Sequence, residues 1–182
     1  DLSERQLLKS QDRNRKTHHG KLCKMHGQVG WRNRLILKNL EADLNEGRQV
    51  LVLTHSVKHS RSLYERFARP GAGLINGEDT DAVERIPILR GTNPVFGTFQ
   101  LAREALNKPE LDTLVVCTPF GNSNDLQQAW GRIQREKANK QTPRVRVYED
   151  KNVEMSREQC LRLRKYLKAL EYPEKTEEQR IE

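Results

Sequence analysis

The 182-residue sequence has few of the features that would place it outside the cell or in a membrane. Its three cysteines, Cys23, Cys117 and Cys160, are an odd number at wide spacing, so no disulfide framework is suggested and a reducing compartment fits. No apolar run approaches the roughly 20 residues of a membrane span, and the opening is too charged for a secretory signal. Aromatics are only 5% against 32% charged residues, the balance of a soluble protein with a large polar surface. Negative charge is also short: Asp+Glu 25 against Lys+Arg 33 leaves a formal +8, which favours an anionic partner, nucleic acid being the commonest. No G-x-x-x-x-G-K-[ST] string occurs. Gly71-Ala72-Gly73 has no partnering lysine, so it reads as a turn and not a phosphate loop. The chain opens on Asp1 and not on Met, and is expected to be a fragment or a processed product.

The periodicity that is present divides the chain into three. Residues 1–30 are polar and read as an extension or linker, partly helical at best. His18, His19, Cys23 and His26 match no established zinc spacing, so no metal site is expected. From Trp31, Leu35, Ile36, Leu37, Leu40 and Leu44 recur at helical spacing, and Asn45-Glu46-Gly47 supplies a stop. Short apolar runs follow at Gln49–Leu53, Ala72–Ile75, Pro94–Phe96, Leu114–Cys117 and Val145–Tyr148. Helical patterns lie between them, at Ser60–Arg69, Asp81–Arg90, Gln100–Leu106 and Asp125–Arg135. Strands alternating with helices predict an α/β domain over residues 31–152, a parallel sheet with helices on both faces. Residues 153–182 hold a last amphipathic stretch, Arg157–Leu170, and a charged tail. Its apolar stripe is Leu161, Leu163, Tyr166, Leu167 and Leu170, read as packed on its own domain.

In such sheets ligands gather where the strands end. Those ends read Thr54-His55-Ser56, Asn76-Gly77, Gly97-Thr98 and Thr118-Pro119-Phe120-Gly121, small or hydroxylated turns that bring N–H groups and helix N-termini to an anion. Just past the fourth run stands Gln128-Ala129-Trp130-Gly131-Arg132-Ile133-Gln134-Arg135. On a helix, Gln128, Arg132 and Arg135 share one face, and two guanidiniums at that spacing form a clamp for a polyanion.

Taken in order, these elements resemble the second RecA-like domain of superfamily 2 helicases, nearest the DEAD/DEAH-type DNA helicases and translocases of phages and bacteria. The resemblance spans Arg32 to Asp150. Arg32-Asn33, Val50–Ser56 as the fourth motif, and Leu74-Ile75-Asn76-Gly77 stand in family order. Val95–Pro109 looks like the fifth motif, with Thr98 six residues before Glu104, and is followed by Leu111–Pro119. Gln128–Arg135 then matches the sixth motif at every defining position.

The resemblance implies a three-layer RecA-like sandwich and half of an intracellular ATP-dependent motor. ATP and Mg²⁺ are held by an N-terminal RecA-like domain, in the same protein or a separate subunit, and this chain supplies Arg132 and Arg135 across the cleft. Gln128 contacts the γ-phosphate or the attacking water, Gly131 permits close packing beneath the clamp, and Glu104 and Asn107 lie towards the nucleotide. Thr54, His55, Ser56, Asn76, Gly77 and Thr98 follow the nucleic-acid backbone, DNA being favoured over RNA, with no membrane partner. Relatives read E-G-x-D where this chain has Glu104-Ala105-Leu106-Asn107. The lost carboxylate would loosen the link between hydrolysis and movement. Without a phosphate loop or a D-E-x-[DH] quartet, the chain alone is expected to be inactive. Two other readings are a non-catalytic nucleic-acid-binding module of this fold, and a small α/β enzyme with Cys117 as nucleophile.

Overall fold

The apolar run after Gln49 occupies the middle of a five-stranded sheet. The computed structural model describes residues 2–11, 17–75, 87, 90–100, 108–120 and 123–175. Strands β1 (Val50–Thr54), β2 (Gly73–Leu74), β3 (Val95–Thr98), β4 (Thr113–Val116) and β5 (Arg144–Val147) are all parallel, in the order β2-β3-β1-β4-β5. β1, β3 and β4 are buried along their whole length, while β5 is half-buried at one edge. Unbroken apolar strands are what a parallel sheet covered on both faces requires. The fold is α/β with an all-parallel sheet, as the alternation of strands and helices predicts.

The helices are α1 (Glu4–Ser10), α2 (His19–Gln28), α3 (Gly30–Asn45), α4 (Val57–Phe67), α5 (Ser123–Ile133) and α6 (Glu154–Ala169). α3 stops where Gly47 takes a positive φ of 77°, a conformation that costs glycine nothing. The helices expected over Asp81–Arg90 and Gln100–Leu106 fall almost entirely outside the described residues. Residues 1–30, expected to be partly helical at best, carry two helices among the described residues. Ser3 closes a capping box on α1, and α2 buries Leu22, Cys23, Met25 and His26. Apolar residues at three- and four-residue spacing were hidden among the lysines and histidines. The chain forms two compact units, one of Cys23–Tyr148 and one combining Asp1–Leu22 with Glu149–Glu182. In the second unit Leu163 of α6 is buried, but Leu161 and Leu170 are 50% and 42% exposed, so the expected stripe is only partly packed.

Within Cys23–Tyr148, Val50 and Val52 face Ile36 and Leu40 of α3 and Leu63 and Phe67 of α4. Tyr64 meets Phe96 edge-on at 5.9 Å. The strand alternation sends Leu51 and Leu53 to the other face, the side of β4 that α5 covers. The largest fully buried side chain is not apolar but Arg32. Its Nη1 donates to the Cys117 carbonyl at 2.5 Å and its Nη2 to the Tyr148 carbonyl at 3.3 Å, with the guanidinium 5.6 Å from the Tyr148 ring centroid. A buried cation is costly unless its donors are met, and here the carboxyl-terminal ends of β4 and β5 take the two Nη groups.

Beside Arg32, Asn33 donates its amide to the Gly27 carbonyl at 3.0 Å. Asn33 Oδ1 is therefore an acceptor, and His59 Nε2, 2.9 Å away, carries the proton in its neutral form. Gly27 lets α2 approach: a Cβ there would stand 3.2 Å from the His59 Cβ. Burial first, then the positive charges of Arg32, His26 and Arg66, push the His59 pKa down to about 3. Between that value and the ordinary 6.5 the unfolded chain binds one more proton than the folded one. Stability is fully present above pH 6.5 and falls on acidification by about 1.4 kcal/mol per pH unit. Thermal unfolding midpoints followed from pH 7 to 4 should show this slope in the native protein and a flatter one in His59→Gln.

Candidate functional site

The first candidate surface is the rim where β3, β1 and β4 end. Thr54 pairs with Thr98 and Leu53 with Val116, and the Cys117 amide continues the ladder to the Leu53 carbonyl at 2.9 Å. Thr98 and Thr54 thus end two adjacent strands, and Thr118 lies two residues past the end of the third, β4. Two of them hold the rim together. Thr54 Oγ1 donates to the Ser56 carbonyl at 2.8 Å, and the His55 amide donates to Thr118 Oγ1 at 2.9 Å. Thr54 is fully buried. Its hydroxyl shapes the turn. His55 stands exposed, Ser56 half-buried and Thr98 buried at the rim. Ser56 is the N-cap residue of α4, with no side-chain cap bond. The sequence reading missed exposed Lys58 and half-buried Arg61, in the first turns of the helix that leaves this rim. Their position straight after a strand-end turn was the available signal. Asn76, Gly77, Glu104 and Asn107 lie outside the described residues.

The second surface is at the far end of α5. Ala129, Trp130 and Ile133 face inward, which leaves Gln128 and Gly131 exposed and Arg132 half-buried. The helix ends at Ile133, closed by the Gln134 amide on the Trp130 carbonyl at 3.2 Å. Arg135 therefore lies past the helix, a correction to the reading of one continuous helical face. The two guanidiniums are nevertheless close enough to interact: burial first, and then the Arg135 charge, lower the Arg132 pKa. Among the described residues a Cβ at Gly131 would meet nothing within 4 Å, which leaves the backbone between Gln128 and Arg132 open to approach.

The two surfaces lie at opposite edges of the sheet. α5 leaves the carboxyl end of β4 and returns the chain to the amino end of β5, where the Arg144 amide bonds the Asp112 carbonyl at 2.8 Å. Lys140 bridges the Arg135 carbonyl, at 2.7 Å, and the Pro109 carbonyl, at 3.1 Å, and Pro109 precedes β4. The sequence reading set the arginines and the threonine turns on one rim. Helix direction separates them, since a crossover helix must run against its strands.

No established family signature matches the chain. In sequence it is similar to the transcript termination protein A18 of myxoma virus, at 27% identity over 113 residues, covering 58% of this chain and 24% of that protein. The A18 proteins of rabbit fibroma virus (28% over 113 residues) and Yaba-like disease virus (27% over 146 residues, 75% of this chain) are similar as well. The chain spans about 24% to 30% of the length of these relatives. Its fold is similar to that of T4 UvsW, with a TM-score of 0.61 at 14% identity, covering 84% of this chain and 35% of that one. It is also similar to the C-terminal part of the Fun30 ATPase domain, at 0.61 and 12%, covering 74% and 46%. These likenesses establish a RecA-like α/β fold.

Among the described residues no helix is long and apolar enough to cross a membrane. Cys117, the nucleophile of one alternative reading, is fully buried, and burial pushes its thiol up to about 12. Cys23 is raised to about 12 for the same reason, and its Sγ donates to the Pro119 carbonyl at 3.6 Å. A thiol so protonated and enclosed is inert. Iodoacetamide at pH 8 should leave both unmodified in the native protein and alkylate them after unfolding, as read by peptide mass.

Proposed function

We propose that this chain is the second motor domain of an ATP-dependent nucleic-acid helicase or translocase, acting with a first RecA-like domain that holds ATP and Mg²⁺. The observation that carries the reading is a half-buried Arg132 within electrostatic reach of Arg135, at the end of the Gln128–Arg135 motif on a RecA-like sheet. Supporting it are the fold shared with the Fun30 ATPase domain and T4 UvsW and the sequence likeness to viral transcript termination proteins.

In this reading Arg135 is the finger and Arg132 its partner. Phosphoryl transfer spreads negative charge over the γ-phosphoryl oxygens, so positioned guanidiniums stabilise the transition state more than the ground state. Gln128 contacts the γ-phosphate or orients water, and the open backbone at Gly131 admits the phosphate. Glu104 and Asn107 belong to the same nucleotide side by resemblance. Mg²⁺ would neutralise phosphate charge when bound. Its ligands belong to the first domain. His55, Ser56, Thr98, Asn76 and Gly77 follow the nucleic-acid backbone at the other edge of the sheet. Such contacts read phosphates and not bases, which gives weak sequence preference and steep salt dependence.

In the full-length protein, Arg135→Ala should lower nucleic-acid-stimulated ATP hydrolysis by roughly 10³–10⁵ while leaving nucleic-acid affinity nearly unchanged. Unaltered turnover would instead favour the non-catalytic binding module. Thr98→Ala should weaken single-strand binding, measured by fluorescence anisotropy at low and moderate salt, without abolishing basal hydrolysis.

A further inference from the structure

Helix α6 turns one side inward, where Ser156, Cys160 and Leu163 are buried. At about 100° per residue, the opposite side carries Arg157, Leu161, Lys165 and Lys168 within an arc of about 80°, and all four are exposed. The helix holds the cations Arg157, Arg162, Arg164, Lys165 and Lys168 against Glu154 and Glu158. Two of those cations are paired: Arg162 with Glu158 at 3.7 Å, and Arg164 with Glu149 at 3.1 Å and Glu174 at 2.6 Å. Among the described residues, the side chains of Arg157, Lys165 and Lys168 make no ion pair and no hydrogen bond. Glu154 shares their side but stands in the first turn of the helix, where a carboxylate suits the helix dipole.

We propose that this face of α6 is a contact for the phosphate backbone of a nucleic-acid duplex, additional to the rim where β1, β3 and β4 end. Charge complementarity selects the occupant, because three cations in a row gain most from a polyanion that releases its counterions on binding. From Arg157 to Lys168 the row rises about 17 Å along the helix, the axial length of about five nucleotides of a duplex strand. Leu161, inside the row, would lose water against the sugars. A single strand is held by aromatic platforms as well as by cations, and the one aromatic of α6, Tyr166, lies on the half-buried side. A membrane surface requires an apolar face to sink below the cations. The exposed leucines of α6, Leu161 and Leu170, are 50% and 42% accessible but roughly two and a half turns apart, so they point to opposite sides. The inference does not rest on the motor-domain reading.

The test is binding of the full-length protein, without ATP, to a labelled blunt duplex and to a single strand, by fluorescence anisotropy across a salt series. The triple variant Arg157→Gln, Lys165→Gln, Lys168→Gln should weaken duplex binding by about 10- to 100-fold near 0.1 M salt. It should also flatten the slope of log affinity against log salt by about 0.9 for each cation removed. Single-strand affinity should change much less. Lys165→Arg with Lys168→Arg should keep native binding, and Arg162→Gln, outside the row, should do the same. Unchanged duplex affinity and slope in the triple variant overturns the proposal. An equal loss on single strand and duplex overturns the duplex assignment. Native binding to phosphatidylserine vesicles that the triple variant loses, with duplex binding intact, makes a membrane the occupant instead. Should the triple variant fail to fold, Lys165→Gln alone takes its place, with an expected flattening of about 0.9.

Discussion

A single buried cation determines how the sheet of this protein can close at its carboxyl edge. Arg32 comes from the first turns of α3, yet its guanidinium ends on carbonyls that follow β4 and precede the end of the Cys23–Tyr148 unit. Replacing it with an apolar side chain of similar volume would leave both carbonyls unmatched, and a buried unmatched acceptor costs about 1–3 kcal/mol. The positive charge also reaches its neighbours: it helps keep His59 neutral and pulls against the burial that raises Cys23 and Cys117. The threonine rim therefore stands on a foundation whose protonation states are fixed across the physiological range.

A division of surfaces follows from helix direction. β1, β3 and β4 end together, so their turns share one edge. α5 must run back along the sheet before β5 can pair in parallel, so whatever its last turn carries is delivered to the opposite edge. In the proposed function, holding nucleic acid and completing a nucleotide site are different tasks with different partners, and opposite edges would let each partner approach without obstructing the other. The sheet between them is the rigid body that relates the two.

The alternation of apolar runs and helical patterns was enough to read the α/β sheet, because buried parallel strands have a composition little else mimics. The Gln128–Arg135 string was legible for the same kind of reason: its spacing is local and its residue types are few. What could not be read was anything that depends on three-dimensional pairing. Nothing in the local sequence announces that the Thr54 hydroxyl will bond the Ser56 carbonyl and hold its own turn. Arg32 looks like one more surface cation until its partners 85 and 116 residues away are in place. Residues 19–28 read as solvated because charge count outweighs three well-spaced apolar positions in any local average. The helix was extended two residues too far, to Arg135, since nothing local announces that Lys140 will take the Arg135 carbonyl.

Arg132 is half-buried and Arg135 exposed, and the Arg135 charge, after burial, lowers the Arg132 pKa. In the proposed function an oxyanion brought between the two guanidiniums would meet both positive charges at once, so the motif would respond to the arrival of a phosphate as a single unit.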